Sequence, residues 1–201
     1  FKPQPVTSWV GNLKRYKLGL SDGSIKILDK NLNEAVNPIT GFFKNSAKSF
    51  WSNSTDGQEV GLGGVVDQLA LQSLEGASRR KVFTYLGDVN NGPVTLEKRD
   101  IDYRDEVHVL DEGITTSYLP LDKRDAILRW ARGYDEKNEN DESNTTGIRP
   151  HVGDPLHSTP AVVNYVDGPV VYFATNKGFL HGIEGSSGKE LFSFIPKELL
   201  S

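Results

Sequence analysis

The 201-residue chain has no cysteine, no methionine and only three tryptophans. Without cysteine no disulfide can hold the fold, and the redox character of its compartment cannot be read from thiol chemistry. No stretch approaches the roughly 18–20 apolar residues that a membrane-spanning helix needs. Positive charge is not in excess: the net charge is −4, and no dense Lys/Arg face gives a reason to expect nucleic-acid binding. The local basic clusters, Lys14-Arg15, Arg79-Arg80-Lys81 and Lys98-Arg99, read as solvated strand edges. No signal peptide is visible at Phe1-Lys2-Pro3, and the missing methionine leads to the expectation of an excerpt or processed piece of a larger protein.

Signatures of catalysis and cofactor binding are also lacking. There is no Gly-x-Ser-x-Gly elbow, and Ser158 standing next to His157 in sequence does not orient a base toward a nucleophile. Gly61-Leu62-Gly63-Gly64 precedes a helix-like run but has neither Gly-x-Gly-x-x-Gly nor the Lys-Ser/Thr of a P-loop. It reads as a closely packing joint rather than a phosphate cradle. Asp88-Val89-Asn90-Asn91-Gly92 starts like a calcium loop but breaks the EF-hand order, and reads as an Asn-Gly turn. His151, Asp154 and His157 could be gathered as metal ligands, but Pro155 lies among them and no helix can place them on one face. No residue is therefore assigned a catalytic, cofactor-binding or metal-binding role.

What the chain has in quantity is turn residues. Twenty Gly and ten Pro, with 36% hydrophobic and 25% charged residues, predict an ordinary globular balance built from many short strands. Residues 1–7 read as an extended lead-in. Trp9 to Leu18 reads as a strand with Leu13, Tyr16 and Leu18 inward; Asp22-Gly23 turns it into a partner from Ile25 to Asp29. Thr40 to Trp51 reads as a helix capped by Thr40, with Phe43, Ala47 and Trp51 on one buried face. A second helix is expected over Val65 to Leu74, a strand over Lys81 to Leu86, and a third helix from Leu121 to a C-terminal cap at Gly133. Leu96 to Leu110 shows no clear element. Residues 134–146 are the most polar stretch and read as a flexible, solvated loop, its carboxylates being no calcium site on composition alone.

The last fifty residues organise the rest. After Asp154-Pro155, four short strands follow: Ala161 to Tyr165, Val170 to Thr175, Phe179 to Glu184 and Glu190 to Ile195. Turns at Asp167-Gly168-Pro169, Asn176-Lys177-Gly178 and Ser186-Ser187-Gly188-Lys189 separate them. The second strand is almost wholly apolar or β-branched and is expected to be buried on both faces. An antiparallel meander of this length is the unit of a β-propeller blade. The fold class that follows is mainly β: a partial β-propeller with helical insertions, residues 1–201 forming part of one propeller domain.

The wording of these segments is similar to a known family. "VVYFATNKGFLHGIEGSSGKELFSFIP" resembles the blades of quinoprotein-like propellers, and with the preceding "GDPLHSTPAVVNY" it resembles the PilY/PilC family of type IV pilus tip-associated proteins. "SWVGNLKRYKL" at 8–18 resembles that family's Trp-x-Gly-Asn-Leu-Lys-x-Tyr-Lys-Leu segment, and "RKVFTYLGD" at 80–88 and "LRWARG" at 128–133 continue the likeness in order. The resemblance implies a non-catalytic factor that promotes pilus extension, opposes retraction, and supports adhesion and surface motility. It implies export to the bacterial cell surface, outer membrane or pilus tip, with pilins and minor pilins as partners and a host or abiotic surface as target. Calcium modulates some members through an Asp-rich loop that has no match here, so no cofactor is expected. In the same family the Gly-Asp-x-x-His-Ser-x-Pro segment leads into a blade strand, which makes Asp154 a cap for backbone amides and His157 an inward-packing residue. The alternatives are a quinoprotein dehydrogenase-like enzyme, whose Trp-rich blades and adjacent-Cys pair are missing, and a carbohydrate-binding propeller.

Overall fold

The computed structural model describes residues 10–21, 23–74, 80–84, 121–135, 152–155, 157–196 and 199. The calcium-like turn at 88–92, the stretch 96–110, His108, His151 and residues 136–146 of the polar loop lie outside the described residues. The strands are β1 (Lys17–Ser21), β2 (Ser24–Leu28), β3 (Val82–Phe83), β4 (Ala161–Tyr165), β5 (Gly168–Ala174), β6 (Leu180–Glu184) and β7 (Glu190–Phe194). The helices are α1 (Gly64–Ala70) and α2 (Leu121–Arg132). The protein is mainly β, with one five-stranded mixed sheet ordered β3-β7-β6-β5-β4 and a separate β1-β2 hairpin.

The expected meander is present: β4, β5, β6 and β7 pair in sequence, each antiparallel to the next. β3 adds to its far side, parallel to β7, and among the described residues it is a two-residue strand rather than the longer one expected. No ring of blades is seen among the described residues. Strand alternation divides the sheet into two unlike faces. One carries Phe173, His181, Ile183, Ser193 and Val82, all buried. Trp51, Val65, Leu69 and Val152 close over the Phe173 and Ile183 part of it as a hydrophobic core. The other carries a row of rings running from β4 to β3. Tyr165 and Tyr172 share a hydroxyl hydrogen bond of 3.0 Å, Tyr172 and Phe192 have centroids 6.3 Å apart, and Phe192 meets Phe83 edge-on at 6.2 Å. Gly182 makes that row continuous: a Cβ there would stand 2.9 Å from the Phe192 ring. This face is only half covered. The expectation that β5 is buried on both faces is therefore corrected: Val170 and Phe173 are buried, and its other residues are half-buried or exposed. β4 is exposed along its whole length.

The layer over the core is more irregular than the sequence pattern suggests. The chain from β1 reverses into β2 as expected, with Ser21 paired to Ser24 and Gly23 at φ 73°. Residues 11–16 are not strand, however, and Leu18 is not inward; it is 70% exposed, beside Leu20 and Ile25. No helix forms from Thr40 to Trp51. Short side chains there give the backbone other partners, which is how Asn, Asp, Ser and Thr oppose helices. Asn37 Oδ1 accepts the Thr40 N–H at 3.4 Å, Asp29 Oδ2 the Lys48 N–H at 3.3 Å and Asp56 Oδ1 the Ser49 N–H at 2.8 Å, and Val36 bridges to Phe43. Ala47 and Trp51 are nonetheless buried, and Phe43 stacks on Tyr16 with centroids 4.6 Å apart. α1 stops at Ala70, short of Leu74, whereas α2 ends as read. There Gly133, at φ 113°, donates its N–H to Arg129 and Trp130 carbonyls. The following residues, Tyr134 and Asp135, are buried rather than part of a solvated loop.

Trp51 fixes this layer to the sheet. Its Nε1–H donates to the Gly185 carbonyl at 3.2 Å, and its ring lies against Gly188 in the β6–β7 turn. Gly188 has φ 80°, and a Cβ there would come 2.4 Å from Trp51 Cγ. Gly188→Ala combines a left-handed backbone penalty with overpacking of a buried indole. It is expected to lower unfolding free energy by about 2–4 kcal/mol in urea titration.

Candidate functional site

The most concentrated chemistry in the described residues is a buried cluster around Glu190. A bulge places it. β6 and β7 shift register between Gly182, opposite Phe192, and Ile183, opposite Glu190. Leu191 is the extra residue and is 43% exposed. Without that insertion Glu190 would point to the aromatic face; with it, the carboxylate enters the core face, a common use of a bulge. Arg80 Nε donates to Glu190 Oε2 at 2.6 Å and Nη2 to Oε1 at 3.1 Å, a bidentate pair. His181 Nδ1 lies 2.7 Å from Oε1. An ionised carboxylate only accepts, so that nitrogen carries the proton. Arg80 also reaches Ser193 Oγ at 3.2 Å and the Ala131 carbonyl of α2 at 2.9 Å, and lies over the Phe179 ring at 5.4 Å. His181 stacks on Phe173 with centroids 5.0 Å apart, and Trp130 of α2 meets Phe179 at 5.7 Å.

The expectation that Arg80 belongs to a solvated edge is thus corrected: it is 2% exposed, with Glu190 at 3% and His181 at 0%. Burial pushes the Glu190 carboxyl up, and the Arg80 charge with the His181 and Arg80 hydrogen bonds more than offsets it, holding it at about 2. With all three side chains covered, this arrangement offers a substrate no approach; what it does is join β7, β6, the lead into β3 and the end of α2. Sequence reading missed it. The available signal was a Glu and a His inside strands that otherwise alternate apolar residues.

A second set of polar side chains ties the N-terminal segment down. Gly11 packs where a Cβ would lie 2.1 Å from the Gly153 carbonyl; its N–H donates to Val152 O at 3.0 Å. Asn12 Nδ2 donates to the carbonyls of Val60, Leu62 and Gly63 at 2.9, 3.2 and 2.8 Å, while Oδ1 accepts from Leu13 and Val66 N–H. Lys14 Nζ pairs with Asp56 Oδ2 at 3.0 Å and donates to Glu59 O at 2.8 Å. Arg15 Nη1 donates to Gly185 O at 2.8 Å and lies over Phe50. The Lys14-Arg15 pair is a connector: Lys14 is half-buried, and Arg15, exposed as expected, also bonds the β6–β7 turn.

The glycine-rich joint behaves as a packing element. Gly63 fits where a Cβ would meet Ser52 Oγ at 2.3 Å. The first amides of α1 are already committed: Gly64 to Ser52 Oγ at 2.8 Å, Val65 to Leu13 O at 3.0 Å, Val66 to Asn12 Oδ1 at 3.3 Å. An anion would find no donor there. Asp154 is buried; its backbone exchanges hydrogen bonds with Asn176, whose Oδ1 takes the Asp154 N–H at 2.8 Å. His157 is exposed, contrary to the inward placement expected for it. Ser158 Oγ accepts the Ala174 N–H at 2.8 Å and so serves β5. No cluster of His, Asp or Glu among the described residues is placed to hold a metal ion.

Comparison with protein-family models, with curated proteins and with solved structures returns no match.

Two predictions follow from this wiring. The folded-state value of Glu190 lies below the ordinary 4.5. Its contribution to stability is therefore complete above about pH 4.5 and drains away as the pH falls towards 2. At about 1.36 kcal/mol per pH unit this is of order 3 kcal/mol. Denaturant midpoints measured across that window should fall steeply for the native chain and less steeply for Glu190→Gln, while Arg80→Met, which strands the carboxylate, should cost about 3–5 kcal/mol at neutral pH. At Asn12, the alanine variant should lose about 2 kcal/mol in urea titration, and Asn12→Asp more, because a carboxylate would face three carbonyl oxygens.

Proposed function

We propose that the chain is a non-catalytic assembly and adhesion module of the type IV pilus, similar to the PilY/PilC proteins, with β4–β7 as one blade of a propeller. One observation carries the reading. Three of the four segments that resemble the family, far apart in sequence, meet the sheet unit that the fourth one builds. Gly11 bonds Val152 ahead of β4, and Arg15 reaches the β6–β7 turn. Arg80 clamps Glu190 in β7, and Ala131 receives Arg80. The half-covered aromatic face adds support, because a blade within a ring is covered by neighbours on both faces.

In this reading the module works at the cell surface or pilus tip, with pilins and minor pilins as partners. It promotes extension and opposes retraction, and it contributes binding surface rather than chemistry. The test is genetic. Surface pili are counted after deletion of the gene in its own host, and again in a strain unable to retract pili. Loss of pili in the first and recovery in the second is expected. Unchanged pili in both backgrounds would overturn the proposal.

A further inference from the structure

We infer that β4 is a self-pairing edge through which two copies of this chain join their sheets. The inference stands on the edge itself and does not depend on the pilus reading. β4 ends the sheet, and no described strand pairs with its outer side. Its side chains are exposed in both directions, with Val162 at 61%, Val163 at 41% and Tyr165 at 53%. The devices that usually protect an edge, a charge, a proline or a bulge, are missing from Ala161–Tyr165.

The direction of its backbone groups can be deduced. Asn164 stands opposite Pro169, which has no N–H, and the Pro169 carbonyl accepts from Gly185 at 2.8 Å on the β6 side. Asn164 and Pro169 are therefore a non-hydrogen-bonded pair. Alternation along an antiparallel ladder makes Val162 the same, so the N–H and C=O of Val162 and Asn164 point to the open edge.

The sequence of β4 suits a second copy of itself better than a partner of opposite charge, for the strand carries no charge to complement. A two-fold axis at Val163 sets Val162 against Asn164 of the other copy, twice. These are the two residues with outward backbone groups, and they form the hydrogen-bonded pairs. Val163 then meets its own equivalent across a non-hydrogen-bonded position, where side chains lie closest. Ala161, the smallest residue of the strand, falls opposite Tyr165, the largest. The two aromatic rows become one.

The test uses sedimentation equilibrium of the whole 201-residue chain over a wide concentration range, and the mass is expected to double as concentration rises. Val162→Pro removes one outward N–H at a position where an edge strand tolerates proline, and should restore the monomer with the far-ultraviolet circular dichroism unchanged. Because the native chain has no cysteine, Val163→Cys gives an independent reading that does not need a proline in the fold. It should oxidise to a disulfide-linked dimer in high yield, whereas Ile39→Cys, at a side chain 92% exposed elsewhere on the surface, should remain largely monomeric. A native chain that stays monomeric throughout overturns self-pairing. So does a Val163→Cys yield no higher than that of Ile39→Cys, the result expected if this edge takes a strand from another protein.

Discussion

The buried carboxylate of Glu190 is the constraint on which the rest of the structure turns. A charge in this position is costly unless it is paired and hydrogen-bonded, and here each partner comes from a different element. Arg80 arrives just ahead of β3, His181 from β6, and the Arg80 guanidinium in turn holds the C-terminal turn of α2 through Ala131. The Glu190 backbone joins in, its carbonyl accepting from Gln72 Nε2 at 2.7 Å. The chain just beyond α1 is thereby tied to β7 as well. Apolar side chains could have filled the same volume, but they would not have specified direction. A bidentate guanidinium accepts one geometry, so the pair fixes how β3 and α2 lie on the sheet as well as that they lie there.

A similar logic operates at the other end of the same face, where the difficulty is the backbone rather than a side chain. Residues 29–63 fold with few regular elements, and irregular segments carry backbone groups that no ladder satisfies. Asn12, Lys14, Asp29, Ser52 and Asp56 take that role. Asn12 serves three carbonyls and two amides from one side chain. Asp56 accepts the Ser49 N–H and the Ser52 hydroxyl while balancing Lys14. Polar side chains with short reach replace secondary structure, and Trp51 supplies the apolar anchor that holds the assembled layer to the sheet.

This contrast explains what could and could not be read in the sequence. The meander was legible because turn residues at Asp167-Gly168, Lys177-Gly178 and Ser187-Gly188 separate runs of β-branched and aromatic residues. α2 was legible through its cap at Gly133. The segment from Thr40 to Trp51 misled because burial of Ala47 and Trp51 matches a helical spacing by coincidence; the Asn and Asp side chains that redirect the backbone carry no periodic signal. The Glu190 cluster was illegible for a deeper reason. A bulge changes which face a residue occupies without changing its local sequence, so Glu190 read only as the first residue of the fourth strand, and Arg80 as one of three adjacent cations on a solvated edge. Their complementarity exists only after β3 and β7 meet, a hundred residues apart in the chain.

The two faces of the sheet make different demands on what surrounds them. The core face is closed by the chain itself, with its charges paired and its indole bonded. The other face shows rings from four strands aligned over Gly182, and its outer strand shows apolar side chains with backbone groups turned outward. A chain whose polar connectors are so fully committed on one side has little left to recognise with there. On the aromatic face and at the β4 edge, ordered backbone and flat apolar surface meet. Sheets use such surfaces to meet other sheets, because a pleated row of rings and an unpaired strand both present regular repeats that another strand can match. Recognition through this region would accordingly be by shape and strand register, with charge excluding few partners, and the geometry of the sheet, rather than any single side chain on it, would set what fits.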